Sequence, residues 1–270
     1  MKVRLLVAYN GSAYHGWAKQ PDVSTVEGTL SEATEAFFAS GPDAFTLQGA
    51  SRTDAGVHAE AQTVHIEYHI PRPLKGFVRA LNTLSPRDIT VCRVEPVDDA
   101  FHARHSARGK IYQYQIWNHR FHHPMLLDRA WKVERPLDLA RMREAAAHLI
   151  GTHDFSAFRA KDCQSPTTVR HIQRVDIEQH GPLLHIWVEG SAFLKYMVRI
   201  ITGTLVDVGK GRLAPDVTAR MLQSGNRRLG GPTAPPQGLT LKTIHYPDFP
   251  WMAPTPALGA PPLPDGLIGE

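Results

Sequence analysis

The stretch Ala50-Ser51-Arg52-Thr53-Asp54-Ala55-Gly56-Val57-His58-Ala59 sets a carboxylate and a guanidinium two positions apart among small residues. Its side chains are too small to read as core, so a loop is expected. Gly56 gives it backbone freedom ahead of the strand-like Gln62-Thr63-Val64-His65-Ile66-Glu67-Tyr68. An ionised carboxylate presented by such a loop can serve as nucleophile or general base. A cation beside it lowers a carboxylate pKa by roughly 1–3 units, which predicts Asp54 charged at neutral pH. Spacing alone leaves a second reading open, in which Asp54 caps a turn and Arg52 is a solvated surface charge.

Around that loop the composition sets broad bounds. A chain of 270 residues has length for one large or two small domains. With 42% apolar and 21% charged residues it is expected to fold rather than stay disordered. Lys plus Arg exceed Asp plus Glu by 30 to 26, a net +4 that permits a nucleic-acid partner without demanding one. Cys92 and Cys163 are far apart, which suggests neither a disulfide framework nor a Cys-based zinc site and fits a reducing cytoplasm. The apolar run after Met1 is too short for a signal peptide, and no stretch approaches about 20 apolar residues, so neither secretion nor a membrane span is expected.

Along the chain, residues 2–9 read as a strand closed by Asn10-Gly11-Ser12, after which Tyr14 and Trp17 either pack or stack on a base. Ser24 or Thr25 can cap a helix whose apolar face is Leu30, Ala33, Thr34, Phe37 and Phe38. A short helix over 75–84 and a strand over 89–94 follow. Phe101 to Lys110 is the most basic segment; it reads as a solvated face, and its Phe, His and Arg also suit phosphate contact beside a stacking group. Ile111 to Trp117 alternates, placing Tyr112, Tyr114 and Ile116 on one side as half-buried strand residues. His119, His122 and His123 lack acidic or Cys neighbours, and no metal site is expected there. A helix over 138–150, a supporting loop from Gly151 through Cys163, and a hairpin of 169–178 with 183–188 come next. From Phe193 to Val208 the apolar residues keep helical spacing and leave Lys195, Arg199 and Thr202 on another face. A helix over 215–222, the loop Asn226-Arg227-Arg228 and a strand over 239–246 complete the ordered part, and the Pro-rich stretch from 247 is expected to be extended or disordered.

Ser51 to Ala59 closely resembles the signature loop of the tRNA pseudouridine synthase A family. The resemblance extends to Asn10-Gly11-Ser12-Ala13-Tyr14-His15-Gly16-Trp17, Gln20-Pro21 and Thr25-Val26-Glu27-Gly28, with Asn10 where Asp is common and Ala18 where Gln is common. Ser191 to Arg199 is similar to the same family's helix, with Ile200 where Asn is common. The resemblance implies that Asp54 is the catalytic carboxylate, that Arg199 pairs with it, and that Arg52 helps displace the target base and takes its place in the stem. It further implies that Tyr112 stacks on that base and that Phe101, His102 and Arg104 face RNA. The implied fold is α+β, two similar α/β halves forming a mostly antiparallel sheet flanked by helices with a central catalytic cleft. The halves are placed at 1–106 and 107–246, with 247–270 as tail. The implied activity is isomerisation of uridine to pseudouridine in the anticodon stem-loop of tRNA, by a cytoplasmic homodimer needing no cofactor and no metal. Asp54 can attack the sugar at C1′, attack the base at C6 or remove a sugar proton, and the sequence does not choose. A catalytically silent RNA-binding protein and a metal-dependent RNA hydrolase are the two readings from other classes.

Overall fold

Alternation in Lys2–Tyr9 (β1) turns Val3, Leu5, Val7 and Tyr9 inward. The computed structural model describes residues 1–39, 44–69 and 75–247, so the tail expected over 247–270 lies, past Pro247 itself, outside the described residues. Helix α1 (Val26–Phe38) starts at Thr25, whose hydroxyl accepts from Gly28 N at 3.2 Å and satisfies one of the free amides of the first turn. Next come β2 (Phe45–Gly49), which periodicity did not reveal, and β3 (His58–Tyr68). Helix α2 (Phe77–Leu84) packs on α1, with Phe37 and Phe77 ring centroids 4.7 Å apart, and β4 (Ile89–Pro96) follows.

The later elements are β5 (Gly109–Asn118), β6 (Trp131–Val133), α3 (Leu139–Ala147), β7 (Gly151–Asp154), β8 (Val169–His180), β9 (Leu183–Gly190), α4 (Met197–Gly209), α5 (Val217–Ser224) and β10 (Leu239–His245). The sheet runs β4-β1-β3-β10-β5-β9-β8-β7, with β2 on β3 and β6 on β5. Its pairings are antiparallel except β10 with β3 and β6 with β5. Strand β1 lies between β3 and β4, and β5 lies in the same way between β9 and β10. Helix α2 joins β3 to β4 as α4 and α5 join β9 to β10. The α+β fold is thus two like halves in one sheet. They meet where Thr240 and Leu241 pair in parallel with His58 and Ala59, at the start of β3.

Two expectations change in the folded chain. Strand β5 is central, so its two tyrosines are fully rather than half buried, and Ile111, Gln113 and Trp117 on its other side are buried too. Helix α4 begins at Met197 instead of Phe193, because Tyr196 takes a left-handed backbone with φ 65° that a helix interior does not accept. Lys195 therefore precedes the helix, and Thr202 is buried, so neither shares a polar face with Arg199. Among the described residues no helix is long and apolar enough to cross a membrane.

Candidate active site

The loop between β2 and β3 is fixed from several sides. Gln62, on β3, accepts from Ser51 N at 3.2 Å and donates to Ser51 O at 2.5 Å, closing a clamp on the loop's backbone. Thr53 bonds through its hydroxyl to that of Tyr9 at 2.8 Å, and its carbonyl accepts from Trp17 N at 3.1 Å. Gly56 N donates to Tyr14 O, and Val57 N donates to Asp54 O, at 3.2 and 3.1 Å. Gly56 has φ 77°, the conformation that glycine reaches without strain, and a Cβ there would press on Pro236. The small residues expected outside the core are thus inside it: Ala50, Ser51, Thr53, Val57 and His58 are buried, and Tyr14 and Trp17 pack beside them. The small side chains are what let three chain segments close on this loop.

Asp54 remains partly open, with 19% of its side chain exposed against 13% for Arg199. Its Oδ2 accepts from Arg199 Nη1 at 3.2 Å. Arg52, two residues away, is exposed and shares in no hydrogen bond or ion pair among the described residues. The cation beside the carboxylate is therefore Arg199, and the expected effect on acidity is reversed. Burial raises the Asp54 pKa above the usual carboxylate range, and the Arg199 charge and hydrogen bond offset only part of that rise.

Arg199 is itself held on three sides. Its Nε donates to Ala234 O at 2.8 Å, and Ala234 N donates back to Arg199 O at 3.0 Å. Its guanidinium lies over the Tyr196 ring, 4.6 Å from the centroid, and the left-handed turn at Tyr196 puts the ring there. The segment carrying Ala234 reaches α4 because Gly203 and Gly231 let two backbones touch: a Cβ on Gly231 would fall 2.5 Å from Gly203 O. Tyr114 fastens the far end by donating to Pro235 O at 2.7 Å.

Tyr112 joins the loop from β5, its hydroxyl 2.9 Å from Ser51 Oγ and its ring edge-on to Phe193 at 5.2 Å. Burial pushes its phenol up to about 12, so it stays protonated at neutral pH. Lys110, two residues earlier on the strand, donates to Ala50 O at 2.9 Å and to Ser51 Oγ at 3.2 Å. Burial, reinforced by the charge of Arg104, lowers its ammonium to about 8. In the sequence Lys110 closes the basic segment and reads as one of its outward charges, not as a partner of the loop. No local signal marks its role, because its acceptors, Ala50 O and Ser51 Oγ, lie 60 and 59 positions away and are met only by tertiary packing.

The basic segment is anchored next to this network. Ala103 N donates to His65 Nδ1 at 3.2 Å, and Ala103 O accepts from Tyr246 at 2.5 Å. His102 Nδ1 accepts from the amides of Arg104 and His105, which curls the chain and leaves Arg104 exposed. Phe101 is buried against Tyr246 and beneath the Arg4 guanidinium, so the open part of this segment is His102, Arg104, His105 and Arg108. Asn10 bonds to Ser12 N and donates to Asp128 Oδ2 at 3.3 Å; an aspartate in its place would set two carboxylates together. His119, His122 and His123 do not converge with other ligand-type groups among the described residues.

Such an arrangement offers one partly exposed carboxylate, a fixed guanidinium, a buried ring and an open basic rim. A family model described as tRNA pseudouridine synthase matches residues 5–106 and 145–247. A tRNA pseudouridine synthase A of Bordetella avium (strain 197N) is 42% identical over 246 residues, covering 91% of this chain and 92% of its own. One of Myxococcus xanthus is 42% identical over 250 residues, with 92% and 93% covered. One of Geobacter sp. (strain M21) is 43% identical over 247 residues, with 91% and 99% covered.

Proposed function

We infer, from the premise that the chain belongs to the tRNA pseudouridine synthase family, that it isomerises uridine to pseudouridine in the anticodon stem-loop of tRNA. In that reaction the bond from uracil N1 to C1′ breaks and one from C5 to C1′ forms, while C5 gives up a proton and N1 gains one. No oxidant, reductant or second substrate enters. Asp54 carries the reaction, as nucleophile at C1′ or C6 or as base toward the sugar. The observation that supports this most is the Asp54–Arg199 contact, a carboxylate kept partly open and held against a fixed guanidinium at the seam of the two halves.

Arg199 orients the carboxylate and favours its ionised form. Tyr112 holds the extruded base; stacking is worth roughly 1–3 kcal/mol per base, against the few kcal/mol that extrusion costs. Arg52, exposed and unengaged, supports the flipped-out state from the stem side, and Arg104 with His102 contacts the RNA backbone. The chain works as two halves, 1–106 and 107–246, in a cytoplasmic homodimer. Phe121, Met125 and Leu127 on the connection before β6 are exposed apolar side chains that a second copy would cover.

The test is pseudouridine mapping in an unmodified tRNA transcript carrying uridines in and outside the anticodon arm. Product confined to that arm is expected. Product only elsewhere contradicts the assigned substrate, and sedimentation of a monomer contradicts the dimer.

A further inference from the structure

The far end of the β8–β9 hairpin carries a group of side chains that the isomerase reading leaves unused. Glu178 and His185 face each other across the two strands in direct register. His180 lies two residues beyond Glu178 and so on the same side of the sheet. One ligand-type atom from each lies within 4.8 Å of the others, and among the described residues this is the single group of three or more His, Cys, Asp or Glu that does so.

We propose that Glu178, His180 and His185 bind one divalent transition-metal ion of the zinc class across the end of this hairpin. Two imidazoles and one carboxylate form a mixed nitrogen and oxygen set that suits such ions and leaves further positions for water. The separations already approach what coordination needs. His180 Nε2 is 3.6 Å from Glu178 Oε2, too far for a hydrogen bond, whereas two ligands on a tetrahedral zinc with bonds of about 2.0–2.1 Å sit about 3.4 Å apart.

Two further observations fit a ligand. His185 Nε2 is buried and has no hydrogen-bond partner. An orphaned imidazole nitrogen in that position is costly unless something accepts its lone pair or proton. Trp187 Nε1 donates to Glu178 Oε2 at 2.8 Å, which fixes the carboxylate as an outer-shell donor does in metal sites. Lys242, whose ammonium lies over the Trp187 ring, is paired with Glu60. The three residues belong neither to the catalytic loop nor to the arginine helix, and His185 meets the tyrosine strand only as the cross-strand neighbour of Gln115, so the ion has a structural role and clips the hairpin beyond the reach of β7, which pairs only with the start of β8.

The experiment uses the full chain, untagged and stripped with a chelator, titrated calorimetrically with zinc chloride; visible absorption with cobalt(II) reads the ligand field. One saturable equivalent is expected. His180→Ala and His185→Ala should each weaken it by at least about tenfold, and Trp187→Phe by a smaller factor. His180 is exposed, so His180→Ala keeps the test valid if His185→Ala does not fold. A His122→Ala/His123→Ala variant should bind as wild type does. The proposal fails if no saturable equivalent appears, if His180→Ala binds unchanged, or if the equivalent is lost in the His122→Ala/His123→Ala variant instead.

Discussion

Asp54 Oδ2 lies 3.2 Å from Arg199 Nη1, although the two residues are 145 positions apart in the chain. Burial raises the carboxylate's pKa, and Arg199 is the strongest opposing influence. The ionised, active form is present above that raised pKa, so kcat/KM should fall as pH drops through an acid limb lying above the usual carboxylate range. Replacing Arg199 by Met removes the opposition and should move the limb to higher pH, with neutral-pH activity down by at least about tenfold. A pH profile of both proteins checks this; an unmoved limb would mean that Arg199 does not act on the acidity of Asp54. Since ionisation of a buried carboxylate disfavours the folded state, the stability that Asp54 contributes is greatest at low pH and declines as pH rises through the same limb.

Tyr112 separates ring from hydroxyl. Tyr112→Phe loses only the bond to Ser51 and should keep kcat/KM within a few-fold, since a net hydrogen bond is worth about 0.5–1.5 kcal/mol. Tyr112→Leu removes the stacking surface while filling most of the volume, and should lose roughly 5- to 150-fold, the equivalent of 1–3 kcal/mol. Equal losses in the two variants would place the function in the hydroxyl instead.

Lys110 holds Ala50 O and Ser51 Oγ and thereby the base of the loop. Lys110→Met should leave the chain folded while lowering kcat/KM by about tenfold, because the loop loses two charge-assisted bonds. Its lowered pKa adds a sign that can be measured. The folded state disfavours the ammonium, so relative to Lys110→Met the wild type should gain stability as pH rises from about 8 toward the ordinary lysine range. Thermal denaturation of both proteins across that window decides it.

Arg52 predicts the opposite pattern. It is exposed and unengaged in the free protein, so Arg52→Ala should change stability by no more than about 0.5 kcal/mol. Turnover of a tRNA transcript should nonetheless fall at least about tenfold, since the side chain acts on the flipped-out RNA. Unchanged turnover would return Arg52 to the solvated surface charge that spacing alone allowed.

These five residues were legible to different degrees. Asp54 stood out because its loop is contiguous in sequence, and β1, α1 and the β8–β9 hairpin because alternation, an Ncap threonine and a Gly-Pro turn are local signals. The partner of Asp54 was not readable from spacing, since the neighbouring Arg52 was the obvious cation and Arg199 arrives only by tertiary packing; the family resemblance supplied it. The seam itself rests on two residue pairs between β3 and β10, far too short a pairing to mark the sequence. Strands β2 and β7 are five and four residues long and were missed for lack of periods to count. The start of α4 was misjudged because Leu194 continues the helical spacing while Tyr196 breaks the backbone. The rise in the Asp54 pKa could not be foreseen at all, because it depends on how deeply the loop is buried.

The most direct measurement is pseudouridine formation in an unmodified tRNA transcript with anticodon-arm uridines, comparing wild type with Asp54→Asn without added metal, alongside tRNA binding by both. The account predicts product from the wild type alone and comparable binding by the two proteins. Product from Asp54→Asn would remove the carboxylate from the reaction, and binding by both without product from either would make this chain an RNA-binding member of its family rather than a synthase.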